Sequence, residues 1–488
     1  MAKLPNEKYF EYFQTICNIE HASYYPQKII PALKKLILEL GYQPKIDAQH
    51  NLFFKIPASR GYEKRPSVLL QAHTDMVFVS KKNSKNKNVK IQVNGDKLSA
   101  NGTSLGADNG IGVSYILAIA ADHKIRHPEL EILLTWNEEV TPQGITKFNY
   151  HLIKSRYMIN LDNEDLAKVE IGCAGVKRYL ISCSLPDSTS LHHDNTYTQM
   201  AFTIAGLKGG HSGANIGALR ANAIALMFNI LYAYALETND FGIAFNEIIN
   251  PANVIPSSSS IDLLLPKQKI NQFKQFVRNR VCQYQKFFRD ENPIKYTFLP
   301  ISKKQKYFNL KDEINQKLLC SLGNVPNPVP YYNEQFQMYE VSYNWFQFTP
   351  TKTGFTIGIS VRATNENGFA LLVQQMLGIL RLANLNPHII SRAESSLTWT
   401  PVFKKHTDSF PLLTIYQNAF KKITKNNVIS EICKGGLECG FIVNKIPTMQ
   451  AISIGPDIFE PHSVDENSSI KSIRLCYKII LQTLKKIN

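Results

Sequence analysis

One short run of wholly apolar residues limits the fold of this chain more than any other feature. Val68 to Leu70 are apolar without a break, as in a strand that a parallel sheet buries on both faces. A helical pattern from Gly110 to Asp122 follows, and further apolar runs span Leu130 to Trp136 and Met158 to Leu161. This alternation predicts an α/β fold with a mostly parallel central sheet flanked by helices.

The length and the changing pattern predict more than one domain. The chain has 488 residues, whereas a single core rarely grows beyond ~250–300 residues. After about Arg178, alternating strands mix with longer helices, and the first pattern returns near Thr398. We therefore predict an α/β catalytic domain in two parts, residues 1–178 and 399–488. An α+β lid domain over residues 179–398 would interrupt it and move about hinges at the two boundaries.

Composition and charge favour a globular protein over several other classes. Hydrophobic residues make up 44% of the chain and charged residues 19%, so extended disorder is not expected. The net charge of +16 would suit acidic partners, but no nucleic-acid-binding module accompanies it. A solvated basic surface is the preferred interpretation, and the role of the charge stays open.

Cysteine usage and hydropathy bear on the compartment. The eight cysteines form no C-x-x-C pair, which favours reduced thiols. The first residues lack the apolar core of a secretory signal, and no apolar run approaches the ~20 residues that span a bilayer. We therefore expect a cytoplasmic protein that binds neither membrane nor nucleic acid.

Three motifs near the predicted strand ends contain residues that could bind a metal. His73 and Asp75 are two positions apart after the first apolar strand, where a carboxylate can orient an imidazole ring. Asp108 lies in a glycine-rich segment, where it could face two metals or simply cap the following helix. Glu138 and Glu139 could be one ligand and one substrate-facing group, or only a charged strand end. Each motif alone is common in proteins without a metal.

Two further motifs complete a set whose members are expected to converge. Asp162 follows another apolar strand, and His462 follows the strand around Ile452. Ligand sites of open α/β sheets lie beyond the carboxyl ends of the strands, so these side chains should meet there. Two histidines and three carboxylates could then hold two divalent cations that share Asp108. Imidazole and carboxylate ligands without thiolate suit zinc, with cobalt or manganese as alternatives.

The string of motifs resembles the di-zinc exopeptidases that have a carboxypeptidase G-type catalytic domain. Within that group it is most similar to the aminoacyl-histidine dipeptidases, also called peptidase D or cytosol non-specific dipeptidases. The likeness covers nearly the whole chain. The segments that carry it are Gly102 to Gly112, Gly172 to Gly175, Gly206 to Gly213, Gly436 to Gly440, Ser453 to Pro456 and Pro461 to Ser463.

The resemblance implies the metal ligands. One metal ion would be held by His73, Asp108 and Asp162. The other would be held by Asp108, Glu139 and His462, so that Asp108 bridges the two ions.

The resemblance also implies residues for catalysis and substrate binding. Glu138 would be the general base, and Asp75 would support the histidine two positions before it. His211, in a Gly-Gly-His motif of the lid, would donate a hydrogen bond to the oxyanion. The implied substrate-binding residues are Asn253, Arg362 and Glu438.

The chain departs from the family pattern at two positions near expected substrate contacts. Lys434 stands where the family usually has histidine, and Ala252 stands where arginine is usual. Residues 302–353 also match the family poorly. These departures bear on the preference for histidine-containing dipeptides and leave the metal chemistry unaffected.

The preferred interpretation is a zinc dipeptidase that hydrolyses dipeptides or short peptides by means of a water activated by two zinc ions. A related amidase, such as an N-acyl amino acid deacylase or a carboxypeptidase, would share the catalytic residues and differ in the lid. A binding protein on a degenerate peptidase scaffold and a basic nucleic-acid binder are alternatives of other classes. The expected partner is a short peptide substrate, and the protein would be a monomer or a homodimer.

Overall fold

The computed structural model of the protein describes residues 4–81, 88–140, 143–185, 190–191, 194–213, 215–303, 305–325, 331–333, 338–400 and 410–488. The chain forms two compact units. The first unit joins Met1–Cys173 to Trp399–Asn488, and the second contains Ala174–Thr398. Arg178, where the sequence pattern changes, lies within a strand of the second unit. Movement of that unit as a lid stays a prediction.

The first segment of unit one begins with two helices and continues with strands and helices in turn. Its helices are α1 (Lys8–Cys17), α2 (Pro26–Glu39), α3 (Ala107–Ala121) and α4 (Gln143–Thr146). Its strands are β1 (Lys45–Ile46), β2 (Leu52–Ile56), β3 (Val68–His73), β4 (Ile91–Asn94), β5 (Lys97–Ala100), β6 (Leu130–Thr135), β7 (Tyr157–Asn160) and β8 (Lys168–Cys173).

The second unit mixes antiparallel strands with four helices in the part of the chain that the structure describes. Its strands are β9 (Gly175–Ser184), β10 (Ser190–Leu191), β11 (Tyr197–Ala205), β12 (Gly242–Ala244), β13 (Ile248–Ile249), β14 (Ser259–Pro266), β15 (Lys295–Pro300), β16 (Tyr307–Asn309), β17 (Tyr331–Asn333), β18 (Met338–Pro350), β19 (Gly354–Ala363) and β20 (His388–Ser396). Its helices are α5 (Ala223–Ala235), α6 (Ile270–Phe287), α7 (Glu313–Gly323) and α8 (Glu366–Leu382).

The second segment of unit one completes the fold. Its helices are α9 (Pro411–Thr424), α10 (Cys439–Lys445) and α11 (Ile470–Lys486). Its strands are β21 (Ile429–Cys433), β22 (Gln450–Ser453), β23 (Ile458–Phe459) and β24 (Asn467–Ser469). Among the helices built from described residues, none is both long and apolar enough to cross a bilayer.

The central sheet of unit one confirms the predicted α/β fold. Its described strands run in the order β1-β2-β6-β3-β7-β22-β8-β21. The four neighbours β6, β3, β7 and β22 are parallel, whereas β2 pairs antiparallel with β6 and β22 pairs antiparallel with β8. All residues of β3 and β6 are buried, and most of them are apolar for that reason. Helices α3, α9 and α10 pack on this sheet.

The second unit has an α+β arrangement. In its described residues, one six-stranded sheet has the order β10-β16-β12-β14-β11-β15. The other has the order β13-β18-β19-β9-β20, with β17 paired to β18. Helix α5 packs on the first sheet, contacts β18 of the second and lies beside α7, and these elements share one large apolar core.

Candidate active site

The predicted site residues of unit one lie just after neighbouring parallel strands. His73 is the last residue of β3, and Asp162 follows β7 directly after Leu161. Glu138 and Glu139 come shortly after β6, and His462 comes after β22 and the short strand β23. The carboxyl ends of parallel strands meet at one edge of a sheet, and this brings the four segments together.

His73 lies against two carboxylates. Its Nε2 atom is 2.9 Å from Oδ1 of Asp108 and 3.1 Å from Oδ1 of Asp162. The His73 side chain is only 1% exposed. Ligand atoms of the three residues all lie within 4.8 Å of one another, which is close enough for one ion.

His462 forms a second group with the same aspartate. Its Nε2 atom is 3.2 Å from Oδ2 of Asp108 and 2.9 Å from Oε2 of Glu139. Asp108 therefore directs one carboxylate oxygen to each histidine, as a carboxylate shared by two cations would. The structure brings together the five residues that the sequence put around two ions, and the side chain of His462 is the more open to solvent, at 46% exposure.

The ring of His73 is oriented from its other nitrogen. Nδ1 is 2.9 Å from the backbone oxygen of Asp75 and 3.6 Å from the Asp75 carboxylate. A proton on Nδ1 leaves the lone pair of Nε2 free for a metal. The Asp75 carboxylate accepts hydrogen bonds from Ser23 Oγ at 2.7 Å and from the backbone nitrogen of Glu138 at 3.1 Å. Asp75 thus contacts both the histidine and the predicted general base.

A left-handed turn after β6 precedes the two adjacent glutamates. Asn137 has φ 64°, a conformation that asparagine tolerates better than most residues, and its Oδ1 accepts a hydrogen bond from the backbone of Tyr24. Ligand atoms of Glu138 and Glu139 both lie near His73, within 4.8 Å of one another. The turn therefore presents two carboxylates to the same small volume.

The glycine-rich segment is held by Glu466, for which no role was predicted. Glu466 accepts hydrogen bonds from the backbone nitrogens of Leu105 at 2.7 Å, Gly106 at 2.9 Å and Ala107 at 2.8 Å. Gly106, with φ 69°, is the N-cap of α3, so Asp108 does not cap the helix, and its backbone is non-helical. Glu466 lies four positions after His462, and that proximity was the only signal in the sequence.

Burial and like charges alter the protonation of the cluster. Burial raises the pKa of Glu139 to about 7, and the Asp108 carboxylate adds to the rise. Burial is also the main reason that the pKa of Glu138 lies well above its ordinary range. Burial would lower the pKa of His462, but the hydrogen bonds that its ring donates to Asp108 and Glu139 raise it to about 11. A bound cation would replace protons held by this cluster.

Glu438 lies inside unit one. It is 1% exposed, and its Oε2 accepts hydrogen bonds of 2.5 Å from Gln71 Nε2 and Thr135 Oγ1. Burial raises its pKa to about 8. These contacts connect Glu438 to β3 and β6, and they give no support to the implied substrate contact.

The three predicted site residues of the second unit are neighbours within that unit. The backbone nitrogen of Ser212 donates to the oxygen of Asn253 at 2.8 Å, and His211 forms an isolated bridge with Val254. A Cβ atom on Gly213 would lie 2.9 Å from Cζ of Arg362, so the absence of a side chain there makes room for the guanidinium group. The segment that carries His211 therefore lies against both of the others.

The two departures from the family pattern lie at different kinds of position. Lys434 is exposed between β21 and α10 in unit one. Ala252 is partly buried in the second unit, where its backbone oxygen accepts a hydrogen bond from Asn344 at 3.2 Å. Neither residue belongs to the histidine and carboxylate cluster.

The fold and the cluster define a class of protein. Histidine and carboxylate side chains lie together at the carboxyl edge of a mostly parallel sheet, and one aspartate is shared between the two groups. This arrangement is typical of a metal-dependent hydrolase. The family model described as peptidase family M20/M25/M40 matches residues 69–486, and the chain belongs to this family. The protein is therefore a metallopeptidase.

Individual relatives match over their full length. The chain is 28% identical over 500 residues to the cytosol non-specific dipeptidase of Escherichia coli strain K12, covering 100% of this chain and 99% of that protein. The crystal structure of aminoacylhistidine dipeptidase from Vibrio alginolyticus matches with a TM-score of 0.85 and 26% identity, covering 100% of this chain and 98% of the other. The family resemblance drawn from the motifs is confirmed.

A more distant structure shares the fold. The aminopeptidase PepT of Bacillus cereus matches with a TM-score of 0.60 and 13% identity, covering 99% of both chains. At this identity the likeness concerns the fold alone.

Proposed function

We propose that the protein is a dipeptidase that hydrolyses dipeptides or short peptides with two divalent cations bound at the cluster of unit one. The observation that carries the proposal is the position of Asp108, whose two carboxylate oxygens face His73 and His462 separately. The names of the Escherichia coli and Vibrio alginolyticus relatives support the substrate class.

The donor atoms fit a pair of first-row cations. We assign His73, Asp108 and Asp162 to one ion and Asp108, Glu139 and His462 to the other. Zinc is the proposed metal because the donors are imidazole and carboxylate, and cobalt or manganese would also suit them. When bound, such ions acidify a water molecule and polarise the scissile carbonyl group.

Glu138 is assigned as the general base. It would accept the proton of the attacking water and deliver it to the leaving amine. The backbone hydrogen bond to Asp75 fixes the segment that carries it, and burial holds its pKa well above the ordinary range, which suits a group that must take up and release a proton.

Residues of the second unit are assigned to the substrate. His211 would donate a hydrogen bond to the oxyanion, and Arg362 would bind the C-terminal carboxylate through its planar fork of N–H groups. Asn253 would contribute a further polar contact. Their mutual proximity within that unit supports a common role.

Location and assembly are part of the same proposal. The name of the Escherichia coli relative supports a place in the cytosol, where a peptidase of this kind would recycle short peptides. A monomer and a homodimer both agree with the proposed chemistry.

The decisive experiment compares Glu138→Gln with the wild-type protein. We expect kcat for a panel of dipeptides to fall by about 10²–10⁴-fold, with the metal content unchanged, because the variant keeps the size of the side chain and cannot accept the proton. The control is Glu39→Gln, which alters an exposed carboxylate on α2 whose nearest cation, Lys35, is 3.8 Å away. Undiminished hydrolysis by Glu138→Gln would show that the assigned mechanism is wrong.

A substrate comparison separates the proposal from a related amidase. The wild-type protein should hydrolyse dipeptides faster than N-acetylated amino acids, and a chelator should abolish both activities. Preferred turnover of acetylated amino acids would assign the protein to the deacylases instead. No turnover of either class by the metal-loaded protein would favour a binding protein on a peptidase scaffold.

A further inference from the structure

A cavity of about 270 Å³ lies within the second unit. Its walls come from α5, the end of α6, the end of α7 and the segment that precedes α5. Most of the lining is apolar, including Leu226, Phe288, Leu322 and Trp345. At roughly 30 Å³ for each group the size of a water molecule, the cavity has room for about nine non-hydrogen atoms.

The opening of the cavity is also apolar. Leu219 is 51% exposed and Phe287 is 61% exposed, and both belong to the lining. Large exposed apolar side chains beside a concave site favour a ligand with an apolar body.

The amide side chains of the lining are already hydrogen-bonded within the protein. Asn222 caps α5 and donates from Nδ2 to the backbone oxygen of Trp345 at 2.8 Å. Asn229 donates to the backbone oxygen of Gly323 at 3.0 Å and accepts from the hydroxyl of Tyr284. These groups maintain the walls and leave little hydrogen-bonding capacity for a ligand.

Arg220 differs from the other polar residues of the lining. It is the one charged side chain among the described residues that line the cavity. Its Nε atom is buried and has no hydrogen-bond partner within the described part of the chain, where Arg220 also forms no salt bridge. An unpaired buried N–H of a guanidinium group is costly, and a carboxylate on a ligand would satisfy it with a charge-assisted hydrogen bond.

We propose that this cavity binds a small carboxylic acid of about eight carbons in all, whose carboxylate pairs with Arg220. The apolar walls and opening would hold the hydrocarbon part, and the volume limits its length. Of the described lining residues none is acidic, so a cationic ligand would find no partner for its charge. This binding is independent of the proposed hydrolysis in unit one.

The test is isothermal titration calorimetry of the full-length, metal-loaded protein with sodium octanoate, octan-1-ol and octylamine. Octanoate should bind saturably with one site per chain. The alcohol should bind at least about tenfold more weakly, and the amine should bind more weakly still, because neither can replace the carboxylate at Arg220.

Variants locate the binding. Arg220→Met removes the charge at similar length and should weaken octanoate binding at least about tenfold. Ala225→Phe fills the cavity from α5 and should abolish binding. Arg278→Met, on the exposed face of α6, is the matched control and should bind like the wild type. Circular dichroism establishes that each variant folds.

The outcomes that would overturn the proposal are specific. They are the absence of saturable binding to the wild-type protein, or equal affinities for octanoate in the wild type and Arg220→Met. Binding lost in Arg362→Met and kept in Ala225→Phe would place octanoate in the predicted substrate site, which also overturns it. If Arg220→Met fails to fold, the affinities of the three ligands for the wild-type protein test the preference for a carboxylate. The Ala225→Phe variant then tests whether octanoate binds in the cavity.

Discussion

The carboxylate of Asp75 accepts a hydrogen bond of 3.1 Å from the backbone nitrogen of Glu138, and the backbone oxygen of the same aspartate lies 2.9 Å from His73 Nδ1. One residue thus positions both a predicted metal ligand and the predicted general base. We expect Asp75→Asn to lower kcat by about 10- to 100-fold, because the amide is a weaker acceptor and the segment of Glu138 loses its fixed position.

Steady-state kinetics with a dipeptide would measure this effect, together with the metal content of the variant. Asp122→Asn is the control, since Asp122 is exposed after α3 and its carboxylate accepts a hydrogen bond from the backbone nitrogen of Lys124, far from the predicted base. Equal kcat values for Asp75→Asn and Asp122→Asn would contradict a positioning role for Asp75.

The three hydrogen bonds to Glu466 predict an indirect effect on metal binding. In Glu466→Gln, the amide group presents N–H to backbone donors, so at least one of the bonds to Leu105, Gly106 and Ala107 is lost. The segment that carries Asp108 would then be less well fixed, and we expect zinc affinity to fall by about 10- to 100-fold.

Competition titration with a zinc-binding dye measures that affinity. The matched control is Asp465→Asn, because Asp465 is the preceding residue and its side chain is 75% exposed. If the two variants bind zinc equally well, Glu466 has no part in supporting the metal site.

Removal of metal should lower the thermal stability of the protein. Without cations, the adjacent carboxyl groups of Asp108, Glu139 and Asp162 either stay charged and repel one another or take up protons. Burial and the neighbouring negative charges both favour the protonated form of Glu139 and Asp162. A zinc concentration of 100 times the Kd would stabilise the folded state by about 2.7 kcal/mol if the unfolded chain does not bind the ion. Differential scanning calorimetry with chelator and with added zinc measures the change, and superimposable transitions would count against a metal site.

Acid stability should depend on Glu131, a buried residue of β6. Burial would raise its pKa, but the Lys55 ammonium, 2.8 Å away, and hydrogen bonds from the backbone of Lys154 and from Ser155 outweigh this and hold the pKa below the ordinary 4.5. A lowered pKa stabilises the folded state fully above pH 4.5, and this stabilisation is lost as the pH falls through the folded-state value.

Glu131→Gln should therefore lower the free energy of unfolding by about 1–3 kcal/mol at neutral pH, with the difference from wild type shrinking in acid. Urea unfolding at several pH values gives this comparison. Glu129→Gln is the control, because Glu129 contacts the same lysine at 3.3 Å but is 44% exposed. If the difference in unfolding free energy between wild type and Glu131→Gln grew towards low pH, the lowered pKa of Glu131 would be contradicted.

The sequence predicted the central strands because burial on both faces favours a run of mostly apolar residues. β3, β6 and β7 lie where apolar runs were found, and β22 contains Ile452, around which a strand was expected. Strands without this requirement were not predicted: β24 is the polar segment Asn467–Ser469, and its pairing with β5 depends on partners far away in the chain. No local pattern marks such a strand.

The convergence of the candidate ligands could also be predicted, since parallel strand ends share an edge. The contacts that hold these ligands in place could not be predicted. Glu466 bonds to backbone nitrogens, which every residue type carries, so the sequence holds no complementary side chain to indicate the contact. For Glu438 the resemblance implied a substrate contact. In the structure its buried carboxylate accepts hydrogen bonds from Gln71 and Thr135 instead.

The order of the cluster along the chain has a consequence during synthesis on the ribosome. His73, Asp108, Glu139 and Asp162 emerge early, whereas His462 and β22 come only after the whole second unit has been translated. A nascent chain can therefore fold its second unit while the first still lacks β21 to β24, α9 to α11 and the proposed ligand His462. Under the proposed assignment, both cations could bind only after the chain has been translated through His462, and cleavage of peptides would begin only then.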